Sequence, residues 1–374
     1  MRYLVSGGGT GGHIYPALAV ARALREARPD VELDYVGGVR GFERRLVAGH
    51  GLRPELRYHE LIVRSLRSAG VSVHTVLDPA RLAASVPQAW RLLGRLGPAA
   101  LFTTGGYLAL PLVLAARARG IPTLVWEGNV LPGRATRAIG RFATRVAVSF
   151  PPTLDAFPGN SFISGTPIRS FAGIDRQEAR RSFGVDTNDR LLLIFGGSQA
   201  VARMNAALAE ALPRLVLDWH VLHLAGEDGM TDAAAARQAL PEPHRARYTP
   251  EPFLADRMAD ALIASDLVLG RAGSSTCAEL TAAGVPSILV PYPYAGAHQR
   301  YNARFLADAG AAVAVPDEDL TADRLVAETT VLLDDERRRM MAEAARALGR
   351  PGAARALADE LVTLGERRFD RAAT

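Results

Sequence analysis

A short apolar run at residues 3–6 is followed at once by the glycine-rich sequence GGGTGGH, residues 7–13. Five glycines in seven positions leave the backbone free to turn tightly and to approach a ligand closely. Helical spacing follows at residues 15–27 and a second apolar run at residues 31–36. This stretch therefore predicts a strand, a glycine loop, a helix and a parallel strand, which restricts the chain to α/β folds.

The same alternation continues along the rest of the chain. Short apolar runs at residues 123–126, 191–195, 220–224, 266–269 and 287–290 are separated by alanine-rich helical stretches. Such runs are typical of strands that are buried on both faces of a parallel sheet. The sequence DRLLLIFGGSQ repeats the opening arrangement of a strand followed by glycines, and residues 149–167 are rich in Pro, Gly and Ser. We therefore predict two doubly wound domains that divide at residues 149–167.

The composition is that of an ordinary soluble globular protein. The chain has 374 residues, of which 48% are hydrophobic, enough for two domains with substantial cores. Its apolar stretch at residues 107–116 is well below the roughly 18 residues of a membrane-spanning helix. The residues before the glycine loop are too few for a secretory signal, and the single cysteine, Cys277, forms no internal disulfide. We expect a cytoplasmic protein.

Charge is distributed unevenly between the two halves. Residues 1–150 contain 20 arginines and 9 acidic residues, whereas residues 151–374 contain 24 arginines and 30 acidic residues, giving net charges of +11 and −6. A basic half can contact nucleic acid, an anionic substrate or an anionic membrane surface. Because no nucleic-acid motif or aromatic-interleaved basic stripe accompanies the charge, we expect no nucleic acid partner.

Polar residues follow two predicted strands of the second half. Residues 196–199, GGSQ, follow one strand, and residues 271–276, RAGSST, follow another and lead into a helix. Ser274 or Ser275 can cap this helix. Its N-terminal N–H groups and dipole favour a diphosphate without the help of a metal ion. The sequence therefore predicts a second phosphate site.

Further polar side chains accompany this second site. Glu279 lies one turn inside the same helix and can accept hydrogen bonds from the two hydroxyls of a ribose. His298, Gln299 and Asn302 lie on one short segment suited to sugar hydroxyls. Each feature alone has a simpler interpretation, since a glutamate is favoured near a helix N-terminus and the segment can be a polar helix start.

The glycine loop itself is open to other interpretations. Gly7, Gly9 and Gly12 satisfy G-x-G-x-x-G, and Asp34 lies about 20 residues further on, as in dinucleotide-binding oxidoreductases. A tight turn without a ligand and a non-catalytic module that binds polyprenyl phosphate or a membrane surface also remain open. The oxidoreductase interpretation gives no role to the predicted phosphate site of the second half. The only D-x-D triplet, residues 317–319, is interpreted as a solvated helix cap, so we predict no metal.

Short motifs occur in a fixed order along most of the chain. They are residues 8–13 with Pro16, residues 104–107, residues 165–169, residues 196–199, residues 271–279 and residues 298–302. Together they resemble the MurG family, glycosyltransferases that add N-acetylglucosamine to lipid I to make lipid II in peptidoglycan synthesis. Several motifs in order are more specific than any one of them.

The resemblance implies a GT-B architecture with two Rossmann-like domains facing across a cleft. It implies an acceptor-binding and membrane-associating domain at residues 1–157, a UDP-sugar domain at residues 168–350, and a last helix within residues 351–374 that packs on the first domain. The implied reaction is an inverting transfer of N-acetylglucosamine from UDP-N-acetylglucosamine to the muramyl sugar of undecaprenyl-diphosphate-linked lipid I. No cofactor is implied, and the role is in cell-wall biogenesis, cell shape and division.

The resemblance also implies roles for individual residues. His13 is the favoured candidate to deprotonate the attacking hydroxyl, which suits a neutral imidazole near neutral pH. The implied acceptor residues are Gly8, Gly9, Thr10, Gly11, Gly105, Gly106, Tyr107, Glu127 and Asn129. The implied donor residues are Thr10, Gly11, Gly12, Asn129, Arg169, Ser198, Gln199, Leu254, Ser275, Thr276, Glu279, His298, Gln299 and Asn302.

The chain departs from the family pattern at several positions. Trp126 and Gly128 stand where the family has His and Gln, and Ala200 stands where it has a glycine. Residues 61–67 stand in place of a glycine-containing loop. These differences leave an alternative open, a UDP-sugar-dependent GT-B transferase that acts on another lipid or natural-product acceptor.

Residues 61–96 interleave apolar side chains with arginines. The apolar residues are Leu61, Ile62, Val63, Leu66, Val71, Val73, Val76, Leu77, Leu82, Trp90, Leu92 and Leu93, and the arginines are Arg64, Arg67, Arg81, Arg91 and Arg95. Such a surface can bind an anionic membrane peripherally, on the cytoplasmic face of the cell membrane. An amphipathic helix with its apolar side in the core gives the same pattern.

Overall fold

Two parallel β-sheets form the framework of the chain. The structure, a computed structural model, describes residues 1–39, 43–49, 51–52, 54–63, 73–196, 202–293 and 298–373. The first unit comprises Met1–Ile168 and Pro351–Thr374, and the second comprises Arg169–Arg350. Each unit contains one sheet and its own hydrophobic core. The predicted α/β class with two doubly wound parallel sheets is confirmed.

The first unit is built on a parallel sheet in the order β3-β2-β1-β4-β5-β6-β7. Its strands are β1 (Arg2–Ser6), β2 (Glu32–Gly38), β3 (Arg57–Leu61), β4 (Ala100–Thr103), β5 (Thr123–Glu127), β6 (Arg145–Val148) and β7 (Ser161–Ile163). Its first helices are α1 (Gly11–Ala27), α2 (Glu43–Ala48), α3 (Val73–Leu96), α4 (Ala109–Ala118) and α5 (Arg134–Gly140). Because the chain winds outward from β1 to β3 and then crosses to β4, the carboxyl ends of β1 and β4 lie side by side. Ligands bind at such a switch point in open α/β sheets.

Alternate residues of the central strand β1 pack into different cores. Tyr3 and Val5 belong to the core formed with α1, whereas Leu4 belongs to the core that contains Leu93 of α3 and Leu112 of α4. Burial on both faces explains why the strand is a continuous apolar run rather than an alternating one.

The segment predicted as the domain boundary, residues 149–167, has regular structure that belongs to the first unit. It contains the 3₁₀ helix Pro151–Ala156 and the edge strand β7, and the chain leaves the first unit only after Ile168. The prolines and glycines of this segment therefore begin and end short elements inside the unit rather than forming a linker.

The second unit is built on a parallel sheet in the order β10-β9-β8-β11-β12-β13. Its strands are β8 (Leu191–Phe195), β9 (His220–Leu224), β10 (Tyr248–Glu251), β11 (Leu267–Gly270), β12 (Ser287–Leu289) and β13 (Ala312–Ala314). Its helices are α6 (Arg176–Ser182), α7 (Ala202–Leu215), α8 (Met230–Ala239), α9 (Glu242–Arg245), α10 (Met258–Ala264), α11 (Ser274–Ala283), α12 (His298–Asp308), α13 (Ala322–Val331) and α14 (Asp335–Leu348). The switch point here lies between β8 and β11, which are both followed by predicted phosphate-binding residues.

The last helix, α15 (Ala353–Ala373), packs in the first unit. Leu357 and Leu361 are fully buried in the same core as α1, and Arg28 pairs with Glu366 at 2.5 Å. Among the described residues, no helix has the length and apolar character needed to cross a membrane.

Candidate active site

The glycine loop joins the carboxyl end of β1 to helix α1. Gly9 adopts φ 93°, a left-handed conformation that favours glycine. Thr10 is the N-cap of α1, and within the described residues its side chain caps no N–H group. The N–H groups of Gly11 and Gly12 therefore begin the helix without a side-chain cap, where the helix dipole favours an anion.

His13 lies in the first turn of α1 and is fixed against the loop that follows β4. Its Nδ1 atom lies 2.8 Å from the carbonyl oxygen of Thr104, and the Thr104 hydroxyl donates to the carbonyl oxygen of His13 at 2.9 Å. Because a carbonyl only accepts, Nδ1 is the donor. In the neutral imidazole Nε2 is then the basic nitrogen, which is the arrangement that a general base requires.

A carboxylate that the sequence analysis did not identify lies between the two loops. Glu43, the first residue of α2, is buried, and its Oε1 atom accepts from the Gly9 N–H at 2.8 Å and from the Tyr107 hydroxyl at 2.9 Å. Burial, and then the negative charge of Glu43, raises the pKa of the Tyr107 hydroxyl well above its ordinary value. The two predicted acceptor loops thus share one buried anchor.

Glu127 and Asn129, predicted for the acceptor, are joined by hydrogen bonds in the loop after β5. One Glu127 oxygen accepts from the backbone N–H and from the side-chain amide of Asn129, both at 3.0 Å. The other accepts from the Gly133 N–H at 3.0 Å, at the start of α5. In this structure Glu127 therefore holds its own loop rather than presenting an open carboxylate.

Trp126, which replaces the family histidine, is a core residue. Its side chain is 1% exposed and its indole N–H donates to the carbonyl oxygen of Gly165 at 3.1 Å. The substitution therefore fixes the end of β5 to the residues after β7.

In the second unit, helix α11 begins directly after β11. Its N-cap is Gly273 and, within the described residues, no side chain caps it, so the prediction that Ser274 or Ser275 caps this helix is wrong. A glycine N-cap is common and leaves the serines in the first turn. Ser275 and Thr276 are half-buried there. The uncapped N–H groups are the part of this site that suits a diphosphate.

The acidic triplet at residues 317–319 does not form the solvated helix cap that the sequence predicts. It forms a 3₁₀ helix in which Asp317 is buried and pairs with Arg271 at 2.5 Å, so Asp317 is not a solvated cap. A buried carboxylate needs such a partner. Among the described residues, no group of three or more His, Cys, Asp or Glu side chains is arranged to hold a metal ion.

Arg169 and Glu279, both predicted for the donor, lie together in the second unit. Arg169 Nε lies 2.8 Å from Glu279 Oε1, and its Nη1 atom donates to the carbonyl oxygen of Ala255 at 3.2 Å. Burial raises the pKa of the Glu279 carboxyl, and the Arg169 guanidinium partly offsets the rise. Ala255 adopts φ 38°, a strained conformation for a residue with a side chain. It follows Leu254, which is buried.

The remaining predicted donor residues differ in their surroundings. Asn302 is fully buried and donates to the carbonyl oxygen of Ala272 at 3.0 Å, and Gln299 Oε1 accepts from the Tyr292 N–H at 2.9 Å. Both side chains therefore fix loops beside the start of α11. His298 is the first residue of α12. Ser198 and Gln199, with Gly197 and Ala200, lie outside the described residues.

Comparisons with known proteins agree with this architecture. Residues 3–148 match the glycosyltransferase family 28 N-terminal domain and residues 191–357 match the family 28 C-terminal domain. The chain is similar to the crystal structure of MurG from Acinetobacter baumannii, with a TM-score of 0.79 and 29% identity over 97% of this chain and 99% of that one. Phytolacca americana UGT2, solved in complex with UDP-2fluoro-glucose and pterostilbene, shares the fold alone, with a TM-score of 0.70 and 15% identity over 98% of this chain and 99% of that one.

Sequence relatives extend over nearly the whole chain. A protein of Desulforudis audaxviator (strain MP104C) is 38% identical, covering 96% of this chain and 97% of its own length, and one of Nocardioides sp. (strain ATCC BAA-499 / JS614) is 41% identical, covering 93% and 94%. Both are named UDP-N-acetylglucosamine--N-acetylmuramyl-(pentapeptide) pyrophosphoryl-undecaprenol N-acetylglucosamine transferase.

The two parallel-sheet units, which match the N- and C-terminal domains of family 28 and the fold of the MurG crystal structure, identify a glycosyltransferase of the GT-B class. The chain belongs to glycosyltransferase family 28. The family membership predicted from the motifs is confirmed. Of the two enzyme classes that the sequence left open, the chain is a glycosyltransferase and not an oxidoreductase.

Proposed function

We propose that this glycosyltransferase moves N-acetylglucosamine from UDP-N-acetylglucosamine to the muramyl sugar of undecaprenyl-diphosphate-linked lipid I, which gives lipid II. The observation that carries the proposal is the near full-length similarity to relatives that are named for this reaction. Residues 1–157 are proposed to hold the acceptor and residues 168–350 the donor.

The acceptor is proposed to bind at the glycine loop of the first unit. The N–H groups of Gly11 and Gly12 begin α1 next to the loop that carries Gly105, Gly106 and Tyr107, so a diphosphate held there finds several donors and a favourable dipole. The arrangement supports a role for backbone groups in holding the acceptor, without a cation.

The proposed chemistry is one direct displacement with inversion. The attacking hydroxyl forms a bond to the anomeric carbon of N-acetylglucosamine, the bond from that carbon to the diphosphate breaks, and its electron pair leaves with UDP. His13 Nε2 takes the proton of the hydroxyl, a role supported by the fixed Nδ1 donor bond to Thr104. The N–H groups at the start of α11 are proposed to stabilise the leaving diphosphate, and no metal or cofactor is proposed.

Membrane association is proposed for the first unit, at a surface formed by β3 and α3. Trp90 and Ile62 are 47% and 40% exposed, and the Arg119 guanidinium lies 3.7 Å from the centre of the Trp90 ring. Residues of β3 and α3 also line a pocket of about 590 Å³, with Arg91 and Arg95 on the α3 side and Glu60 on the β3 side. Exposed aromatic and basic side chains of this kind suit an anionic membrane surface on its cytoplasmic face.

Part of the predicted membrane segment has another role. Leu61, Val63, Leu92 and Leu93 are buried in the core of the first unit. Residues 64–72 lie outside the described residues, and so do the side chains of residues 73–81, which include the predicted Val73, Val76, Leu77 and Arg81. The proposal therefore rests on Trp90, Ile62, Arg91 and Arg95 rather than on the whole segment.

The deciding experiment is turnover of UDP-N-acetylglucosamine with a soluble lipid I analogue. We expect release of UDP that depends on the analogue, with UDP-glucose a poor donor. A panel of other lipid and natural-product acceptors provides the comparison. Release of UDP only with one of those acceptors overturns the proposed acceptor, and consumption of neither donor overturns the function.

A further inference from the structure

The buried carboxylate of Glu43 joins two loops that the sequence separates widely. Its Oε1 atom accepts from Gly9 N, 34 residues away, and from Tyr107 Oη, 64 residues away. The contact is close, because a Cβ atom on Gly8 would lie 2.6 Å from Glu43 Oε1 and one on Gly9 would lie 3.3 Å from the Tyr107 ring. The glycine loop is thus packed directly against this side chain.

Glu43 also changes which amides of the glycine loop can hold a ligand. The Gly9 N–H donates to a carboxylate, so it is already occupied, whereas no side chain in the described part of the chain caps the N–H groups of Gly11 and Gly12 at the start of α1. The second oxygen, Oε2, is buried and, within the described residues, accepts no hydrogen bond. Because the Gly9 N–H already has an acceptor, a phosphate at that end of the loop finds one donor fewer.

We propose that Glu43 is a positioning residue of the acceptor site. It holds the Gly9 backbone and the Tyr107 ring in place through its two hydrogen bonds, and it directs the acceptor's diphosphate to the amides of Gly11 and Gly12. These amides lie in the same helical turn as His13, so the choice of amide sets where the attacking hydroxyl lies relative to the imidazole. The inference rests on the proposed function and names a residue of that same site.

The kinetic consequence is selective for the acceptor. Without the carboxylate, the Gly9 N–H and the Tyr107 hydroxyl lose their shared partner, and the loop no longer offers a single arrangement of amides. We expect Glu43→Ala to lower kcat/KM for the acceptor by about ten- to a hundredfold, as for the loss of a buried hydrogen-bond partner. The KM for UDP-N-acetylglucosamine is expected to change much less, because most of the proposed donor residues lie in residues 168–350.

Three further variants distinguish a positioning role of Glu43 from a general effect on folding. Glu43→Gln keeps an oxygen acceptor for both donors and is expected to restore kcat/KM for the acceptor to within about threefold of the wild type. Tyr107→Phe removes one of the two bonds, and its effect is expected to be less than additive with that of Glu43→Ala. Glu366→Ala removes an exposed carboxylate that pairs with Arg28 in the same unit, and it serves as the control.

A second readout does not depend on turnover. Hydrogen exchange of the peptide that contains Gly9 is expected to be faster in Glu43→Ala but unchanged in Tyr107→Phe, because only the first variant removes the acceptor of the Gly9 N–H. If the wild type turns over no lipid I analogue, the proposed function fails, while the exchange experiment still tests the contact itself.

The positioning role is overturned by either of two results with an active wild type. One is an acceptor KM and kcat in Glu43→Ala that match those of Glu366→Ala. The other is an equal loss toward donor and acceptor that Glu43→Gln does not restore, which indicates a general loss of folded protein.

Discussion

His13 and Thr104 hold one another through two hydrogen bonds, from His13 Nδ1 to the Thr104 carbonyl oxygen at 2.8 Å and from the Thr104 hydroxyl to the His13 carbonyl oxygen at 2.9 Å. The pair joins the start of α1 to the end of β4. Thr104 is 1% exposed, so the bonds are protected from competition by water. The imidazole is therefore oriented before any substrate binds.

His13→Ala tests whether this oriented imidazole is the base. We expect kcat to fall by roughly 10²- to 10⁴-fold, because a positioned general base contributes about that much. UDP affinity is expected to stay within about twofold, since the residue is proposed to act on the acceptor hydroxyl. Steady-state kinetics at saturating acceptor, with UDP binding by calorimetry, measure both quantities. Near-normal turnover would remove His13 from this role.

Glu279→Ala tests the donor site of the second unit. A carboxylate that accepts from ribose hydroxyls makes charge-assisted hydrogen bonds, so we expect UDP binding to weaken by about 1.5 to 3 kcal/mol. Arg169 loses its partner in the same variant, and Arg169→Ala is expected to show an effect that is not additive with it. Glu328→Ala, which removes the Arg324 ion pair in the same unit, is the control. An unchanged dissociation constant for UDP argues against Glu279 as a donor ligand.

The strands and helices could be predicted from the sequence, but the contacts between the loops at the strand ends could not. Strand β1 and helix α1 were predicted because apolar runs and helical spacing are local signals. The helix begins at Gly11 rather than at the predicted residue 15, since Thr10 in an extended conformation ends the loop early and the glycines accept helical angles. Ends of elements depend on such details and are the least certain part of a pattern.

Contacts between distant residues were not predictable from spacing. Glu43 reaches Gly9 and Tyr107 only because β2 and β4 both lie beside β1 in the sheet, and no motif links the three residues. The burial of Asp317 has the same cause, because its partner Arg271 is 46 residues away and follows a different strand. Motifs identified the loops, whereas the order of the strands decides which loops meet.

His223→Gln tests whether the buried His223 of the second unit makes the stability of the protein depend on pH. Burial lowers the pKa of His223 to about 4, while its ring bonds to the Tyr248 hydroxyl at 2.9 Å and to Asn205 Oδ1 at 3.1 Å. The unfolded chain binds a proton below its ordinary pKa of about 6.5, but the folded state does not, so stability falls as pH falls from about 6.5 to about 4.

Glutamine at position 223 keeps one acceptor and one donor but does not titrate. Between pH 7 and pH 5 the wild type is expected to lose up to about 2 kcal/mol more unfolding free energy than His223→Gln. Urea unfolding at the two pH values gives the comparison. Equal losses in both proteins mean that His223 does not contribute to the acid sensitivity.

Changing Arg91 and Arg95 together to Ser tests whether the basic surface on α3 binds a membrane. Arg91 and Arg95 lie one turn apart on α3 and line the same pocket, where like charges at this spacing repel one another and favour an anionic partner. Each arginine near an anionic surface contributes about 1 kcal/mol, so changing both to Ser is expected to weaken vesicle binding by about 2 kcal/mol. Binding is expected to need anionic lipid and to fall with salt.

Co-sedimentation with anionic and with neutral vesicles measures the effect of this change. The control changes Arg304 and Arg324 together to Ser, which removes the same charge from exposed ion pairs of the second unit. If the charge alone attracts the membrane, both double variants lose binding equally, which contradicts a specific surface on α3. If the surface is the binding site, only the Arg91 and Arg95 variant loses binding, because those two side chains line the pocket between α3 and β3.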